Sequence, residues 1–158
     1  MMENYLQVLE DSMHKKLAVL QEIETLSRHQ GELLAADPVD EEAFSDSLEE
    51  KGMLIDRLNG LDEGFETLYE KLRVQLQQEK EQYKPQIVRI RQLITEVTEK
   101  SMSIQAQEAR NHQAAEAFFA RAEEEVQRGR RSSKAAMDYY KSMNHMHSVP
   151  PQFMDQKK

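Results

Sequence analysis

Phe44-Ser-Asp-Ser-Leu48-Glu-Glu-Lys-Gly-Met-Leu-Ile55-Asp-Arg-Leu58-Asn-Gly-Leu-Asp-Glu-Gly-Phe65-Glu-Thr-Leu-Tyr69-Glu-Lys-Leu72-Arg-Val-Gln-Leu76 decides the fold. Phe44, Leu48, Ile55, Leu58, Phe65, Tyr69, Leu72 and Leu76 form an apolar seam, flanked by Leu54, Leu61 and Leu68. An apolar stripe recurring every ~3.5 residues lets one helix bury a seam against another. A helix is predicted over 38–79. Lys51 and Asp62 fall on its seam and break it. Gly52, Gly60 and Gly64 interrupt it, each costing about 1 kcal/mol against Ala. Close approach of a neighbouring backbone and local looseness both account for them.

Upstream, Leu6, Leu9, Met13, Leu20, Ile23 and Leu34 repeat on steps of three and four, widened by Leu17, Val19, Leu26 and Leu33. They predict a helix over 3–36. Asp37-Pro38 ends it, and the same pair suits the next N-terminus, with Asp37 as cap and Pro38 at the first helical position. Asp40, Glu41 and Glu42 then occupy the first turn, where the helix dipole favours negative charge. Lys16 interrupts the first seam about as far from the turn as Asp62 interrupts the second. An antiparallel hairpin would bring the two charges together; the alternative is that both extend to solvent from the edge of a thin bundle.

Downstream, Ile87, Ile90, Ile94 and Val97 start a third seam, out of phase with the second. The slip falls near Lys84-Pro85, and Pro disfavours helical angles in the residue before it. A tight turn is expected there, then a helix over 85–127; the alternative is one very long helix kinked at this point, which would leave its apolar stripe unburied unless it dimerised. In its middle the seam becomes Ser101, Glu108 and Asn111, with Ile104 the main apolar survivor. A polar layer costs stability and often fixes register; it also suits a helix waiting for a partner. Ala114, Ala115, Phe118, Ala122 and Val126 resume a weaker stripe. The expected fold is all-α: an elongated antiparallel bundle of three long helices over 1–127, with a short C-terminal helix and flexible tail.

Charge separates the two regions. Residues 1–127 carry 14 Lys and Arg against 27 Asp and Glu, a balance of −13. Residues 128–158 carry 7 against 2, a balance of +5, which accounts for the chain's net −8. Arg128, Arg130 and Arg131 read as a basic hinge before a short amphipathic helix over 134–147, in a mobile tail. Val126, Ala136, Tyr139, Tyr140, Met143, Met146, Phe153 and Met154 are the candidate partner-binding residues. Tyr and Met are favoured at interfaces, and a segment this short cannot bury them itself. Folding back to complete the bundle is the competing reading of the same residues.

Chemistry is poorly represented. The chain has no Cys, which removes disulfides, thiolate metal sites and cysteine nucleophiles. His145-x-His147 lacks acidic companions, and a carboxylate di-metal bundle would need two Glu-x-x-His units where Asp11-Ser-Met-His14 is the nearest approach. No phosphate-binding Gly-rich loop or nucleophile–His–acid pattern appears. Net acidity argues against nucleic acid as a partner. There is no apolar run long enough to insert in a membrane, and no secretory signal. The expectation is a cytoplasmic, cofactor-free, metal-free non-enzyme, monomeric or weakly homo-oligomeric.

Lys51-Gly-Met-Leu-Ile-Asp-Arg-Leu-Asn-Gly-Leu-Asp-Glu-Gly-Phe-Glu-Thr-Leu-Tyr69 resembles the second helix of the FlgN-type flagellar export chaperones. Thr98-Glu-Lys-Ser-Met-Ser-Ile-Gln-Ala-Gln-Glu-Ala-Arg-Asn111 resembles their third, and Pro151-Gln-Phe-Met-Asp-Gln-Lys-Lys158 is similar to the tails of some members. The small chaperones of the FliT type look alike. The resemblance implies a chaperone without ATPase activity. It would bind the C-terminal helices of hook–filament junction proteins (FlgK/FlgL type), prevent their premature assembly and deliver them to the type III export gate protein FlhA. Tyr139 or Tyr140 would correspond to the family's gate-contacting aromatic. The alternative is a structural or adaptor coiled coil that acts by self-association through the seams of the three helices.

Overall fold

The computed structural model describes residues 1–143, with the side chains at 132, 136 and 139–143 outside the description. Three helices follow in order: α1 (Met2–Ala35), α2 (Glu41–Gln78) and α3 (Lys84–Met143). No strand occurs among the described residues. The fold is all-α, with three long helices. The chain forms two compact units, Met1–Ala115 and Glu116–Lys158, divided upstream of the expected 127/128 boundary.

In the first unit α1 and α2 are antiparallel. Lys16 Nζ lies 2.5 Å from Asp62 Oδ1, and Arg57 lies 3.9 Å from Glu22. Partner numbers therefore fall on α2 as they rise on α1. The Lys16–Asp62 pair is the one that an antiparallel hairpin predicts. Residues 84–115 of α3 run parallel to α1. Arg89 meets Glu10 at 3.2 Å, Lys100 meets Gln21 at 2.5 Å, and Ser27 meets Glu108 at 2.6 Å.

Both connections are short. Ala36 adopts an extended conformation after α1, and the Asp37–Pro38 peptide bond is cis. Asp40, not Asp37, caps α2, its side chain accepting the Ala43 N–H at 3.0 Å. A helix begun at Pro38 would leave too little chain to reverse direction, so Asp37–Val39 forms the link instead. The second link is the expected tight turn. Glu79 O accepts from Gln82 at 3.0 Å, and Tyr83 O accepts from Ile87 at 3.0 Å to start α3. Pro85 then sits in the first turn, where its missing N–H costs nothing.

The core has two clusters. Near the second turn, Met2, Leu6, Leu9, Leu72, Leu76, Tyr83 and Ile90 pack together. Farther along, Met13, Val19, Leu20, Ile23, Leu93, Val97 and Ile104 do so, with Leu54, Leu58, Leu61 and Phe65 against them. Fully burying one such side chain stabilises by about 1.5–3 kcal/mol.

Helix α1 buries its expected seam. Helix α2 keeps Lys51, Leu58, Phe65, Leu72 and Leu76 of its expected seam inward, but Leu48, Ile55 and Tyr69 are exposed. Leu54, Leu61 and Leu68, expected as its flank, pack inward in their place. On α3, Ile94 is exposed and Leu93 buried, a similar small rotation. The physical reason on α2 is drift: a helix of 3.6 residues per turn carries a 3.5-residue stripe around its axis by about 20° per heptad, so Leu76 stays inside while Leu48, Ile55 and Tyr69 do not.

Gly52, Gly60 and Gly64 have nothing within 4 Å of the position a Cβ would take, which excludes close approach as their reason. Gly60 and Gly64 border an open groove between α1 and α2 with Val8, Lys15 and Leu68. Gly31 differs: a Cβ there would stand 3.0 Å from both Asn111 Oδ1 and Gln107 Nε2. The triple variant G52A/G60A/G64A is therefore expected to gain about 2–3 kcal/mol in chemical denaturation, since each Gly in a helix interior costs about 1 kcal/mol against Ala. G31A is expected to lose stability. Equal effects at all four positions would contradict this packing.

The expected hinge at Arg128, Arg130 and Arg131 is absent. These residues lie inside α3, which continues to Met143. The separate helix expected over 134–147 is, as far as Met143, the distal part of the same helix. Gly129 is only a local penalty of about 1 kcal/mol, and the Glu, Ala, Arg and Lys residues around it are good helix formers.

Candidate partner-binding surface and internal polar layer

Polar residues replace apolar ones at one level of the first unit. Row positions on α1 pass from Ile23 to Ser27 and Gln30 before Leu34 restores the pattern. Helix α2 contributes Ser47 and Lys51, and α3 contributes Glu108 and Asn111. Ser27, Gln30, Ser47, Lys51 and Asn111 are all buried.

Their bonds form one network. Lys51 Nζ donates to Glu108 Oε1 and Oε2 at 2.8 and 2.9 Å, and also to Gln30 Oε1. Gln30 Nε2 donates to Ser47 Oγ at 3.1 Å, and Ser47 Oγ donates to Phe44 O at 2.5 Å. Ser27 Oγ donates to Glu108 Oε1 at 2.6 Å, while Asn111 Nδ2 donates to Ser27 O at 2.7 Å. Every helix is thereby tied to the other two at a fixed register. A buried ion pair adds little net stability over an apolar core but penalises any shift that separates it.

Two carboxylates answer to these surroundings. Burial pushes Glu108 up, but hydrogen bonds from Lys51 and Ser27 and the Lys51 charge outweigh it and leave it below the ordinary value of 4.5. Burial also pushes Glu24 up, and Ser103, Lys100 and Arg28 together bring it below 4.5. Glu108 and Asn111 stood out in the sequence as polar seam positions. Gln30, Ser27 and Ser47 did not, although polar residues at successive seam steps were the available signal.

The second unit carries the candidate binding residues. Along α3, Phe118, Ala122 and Val126 lie on one side, with Phe119 beside them. Phe119 is 59% and Val126 54% exposed, and the Phe118 and Phe119 rings lie 5.4 Å apart. Arg128, Arg130 and Arg131 are exposed on the same helix. Ala136, Tyr139, Tyr140 and Met143 are on α3, with their side chains outside the description. Met146, Phe153 and Met154, like His145 and His147, lie outside the described residues. The described helix thus presents bare apolar side chains between charged ones, a surface suited to another helix.

Among the described residues, no group of three His, Cys, Asp or Glu side chains is placed to hold a metal ion. No described helix is long and apolar enough to cross a membrane. Comparison with protein-family models, curated proteins and solved structures gives no match to this chain.

Proposed function

We propose that this chain is a cytoplasmic export chaperone of the FlgN type, holding the amphipathic C-terminal helices of FlgK/FlgL-type junction proteins until they reach the FlhA gate. The observation that carries the reading is the apolar row on the distal part of α3, with Phe119 and Val126 more than half exposed. The resemblance of residues 51–69, 98–111 and 151–158 adds the flagellar assignment.

The physics of such a task is simple. Client ends assemble by burying apolar stripes, so a holder must offer a substitute stripe and later release it. Apolar burial contributes roughly 25 cal/mol per Å². Ordering costs take back part of it, leaving a modest affinity suited to handover. The proposed contacts are Val126, Ala136, Tyr139, Tyr140, Met143, Met146, Phe153 and Met154. Arg128, Arg130 and Arg131 would steer acidic segments toward them.

Deleting 130–158 is expected to abolish co-purification of a FlgK/FlgL-type client. The helical circular dichroism of the first unit should persist, because its core residues all precede Ala115. A truncated chain that retains its client at full strength would overturn the assignment of these contacts.

A further inference from the structure

The distal part of α3 is self-complementary, and we propose that it pairs antiparallel with the same helix of a second copy of this chain. The surface is the row Phe118, Ala122, Val126, Gly129, Ser133 and Met137, about 30 Å long at 1.5 Å per residue. This proposal does not rest on the flagellar reading.

The spacing is palindromic. Steps of four, four, three, four and four run from Phe118 to Met137 and read the same in both directions. Two copies related by a two-fold axis between Gln127 and Arg128 place Phe118 opposite Met137, Ala122 opposite Ser133, and Val126 opposite Gly129. Phe118 meets the flexible Met137 and Val126 meets Gly129, while the small pair Ala122 and Ser133 lets the helices approach closely. A heterologous partner would impose no such symmetry, whereas a two-fold interface demands it.

Charge changes sign near the same axis. Glu123, Glu124 and Glu125 lie before it and Arg128, Arg130, Arg131 and Lys134 after it, all exposed, with Arg121 and Asp138 against the trend. Side chains that flank an antiparallel seam face residues on the same side of the partner helix. Glu123 then falls between Arg130 and Lys134 of the other copy, and Glu125 falls level with Arg130. A parallel, in-register pair would instead lay the acidic turn 123–125 alongside itself and the basic stretch 128–134 alongside itself, which is repulsive. The charge order therefore selects direction as well as partner.

Sedimentation of the full chain tests the pairing. The wild type is expected to dimerise at micromolar concentration and to dissociate as salt screens the exposed pairs. E123K/E125K removes most of the negative charge before the axis, and R128E/R130E removes half of the positive charge after it. Each alone should weaken self-association at least about tenfold through like-charge contact. Mixing the two should produce a heterodimer, and the fourfold variant carrying both changes should recover the wild-type homodimer. Recovery cannot come from a misfolded chain.

The chain has no cysteine, so introduced thiols report direction. A122C mixed with S133C should form a crosslinked dimer, while A122C alone should not. A wild type that remains monomeric, double variants that associate as well as wild type, a fourfold variant that stays dissociated, or crosslinking of A122C to itself alone would each overturn the proposal.

Discussion

Replacing Glu108 with alanine is expected to cost about 3 kcal/mol of folding stability, because it strands the Lys51 ammonium inside the bundle. The Lys51 side chain is only 11% exposed, against 40% for Glu108. After the change Lys51 keeps Gln30 as a neutral acceptor but loses both carboxylate bonds. The reverse change is milder. K51M preserves the aliphatic stem and leaves a carboxylate that already reaches water, so about 1 kcal/mol is expected. K51M/E108L should equal or exceed the wild type, since a well-packed apolar pair often matches a buried ion pair or improves on it by about 1–4 kcal/mol. Urea unfolding of the three variants checks the order. An E108A protein as stable as wild type would refute the network.

The same carboxylates set the acid limb. Glu108 and Glu24 titrate below 4.5 in the folded chain, so they bind fewer protons than in the unfolded chain near that pH. Their contribution is complete above the unfolded value and disappears as pH falls through the folded ones. The urea midpoint of the wild type should therefore fall below about pH 4.5, and E24Q/E108Q should show a flatter fall.

Much of this arrangement was legible in the residues. Long runs with scarce breakers gave three helices, and the phase slip at Lys84-Pro85 gave the second turn. Lys16 and Asp62 located each other because both interrupt seams at matching distances from the first turn. The rotation of α2 was not legible from apolar count. Leu48, Ile55 and Tyr69 compete with Leu54, Leu61 and Leu68 on adjacent rows of the same helix, and both rows satisfy a heptad. The choice depends on how the helix carries these rows around its axis, which an apolar count does not show. The burial of Lys51 was hidden for another reason: read alone a lysine argues for solvent, and its carboxylate lies 57 positions away at Glu108. The distal helix was misjudged for a related reason. Gly129 and Ser132-Ser133 look like a linker locally, yet the surrounding residues sustain the helix through them. The exposed apolar row proposed for partner binding was partly visible, since Val126 lies on it and Phe118 and Ala122 belonged to the predicted stripe. Gly129 and Ser133 were hidden because small residues carry no hydropathy signal.

Alanine truncation of a core residue on α1 and of the exposed row on α2 measures how the bundle uses its apolar residues. Leu9 is 1% exposed and packs within the cluster formed by Met2, Leu6, Leu72, Leu76, Tyr83 and Ile90. L9A removes buried carbons and leaves a cavity walled by three helical segments that cannot all collapse, so about 3 kcal/mol is expected. Ile55 and Leu48 are 41% and 49% exposed, and their side chains already meet water. I55A and L48A should each cost less than about 1 kcal/mol, since only the buried fraction of the apolar area is lost. Linear extrapolation in urea measures all three, and an unchanged denaturant slope confirms that the folded and unfolded states are the same. If I55A costs as much as L9A, then Ile55 is inside the core and the rotation of α2 is refuted. A small cost at Ile55 instead leaves a helix whose second apolar row meets water while Leu54, Leu61 and Leu68 pack against the core.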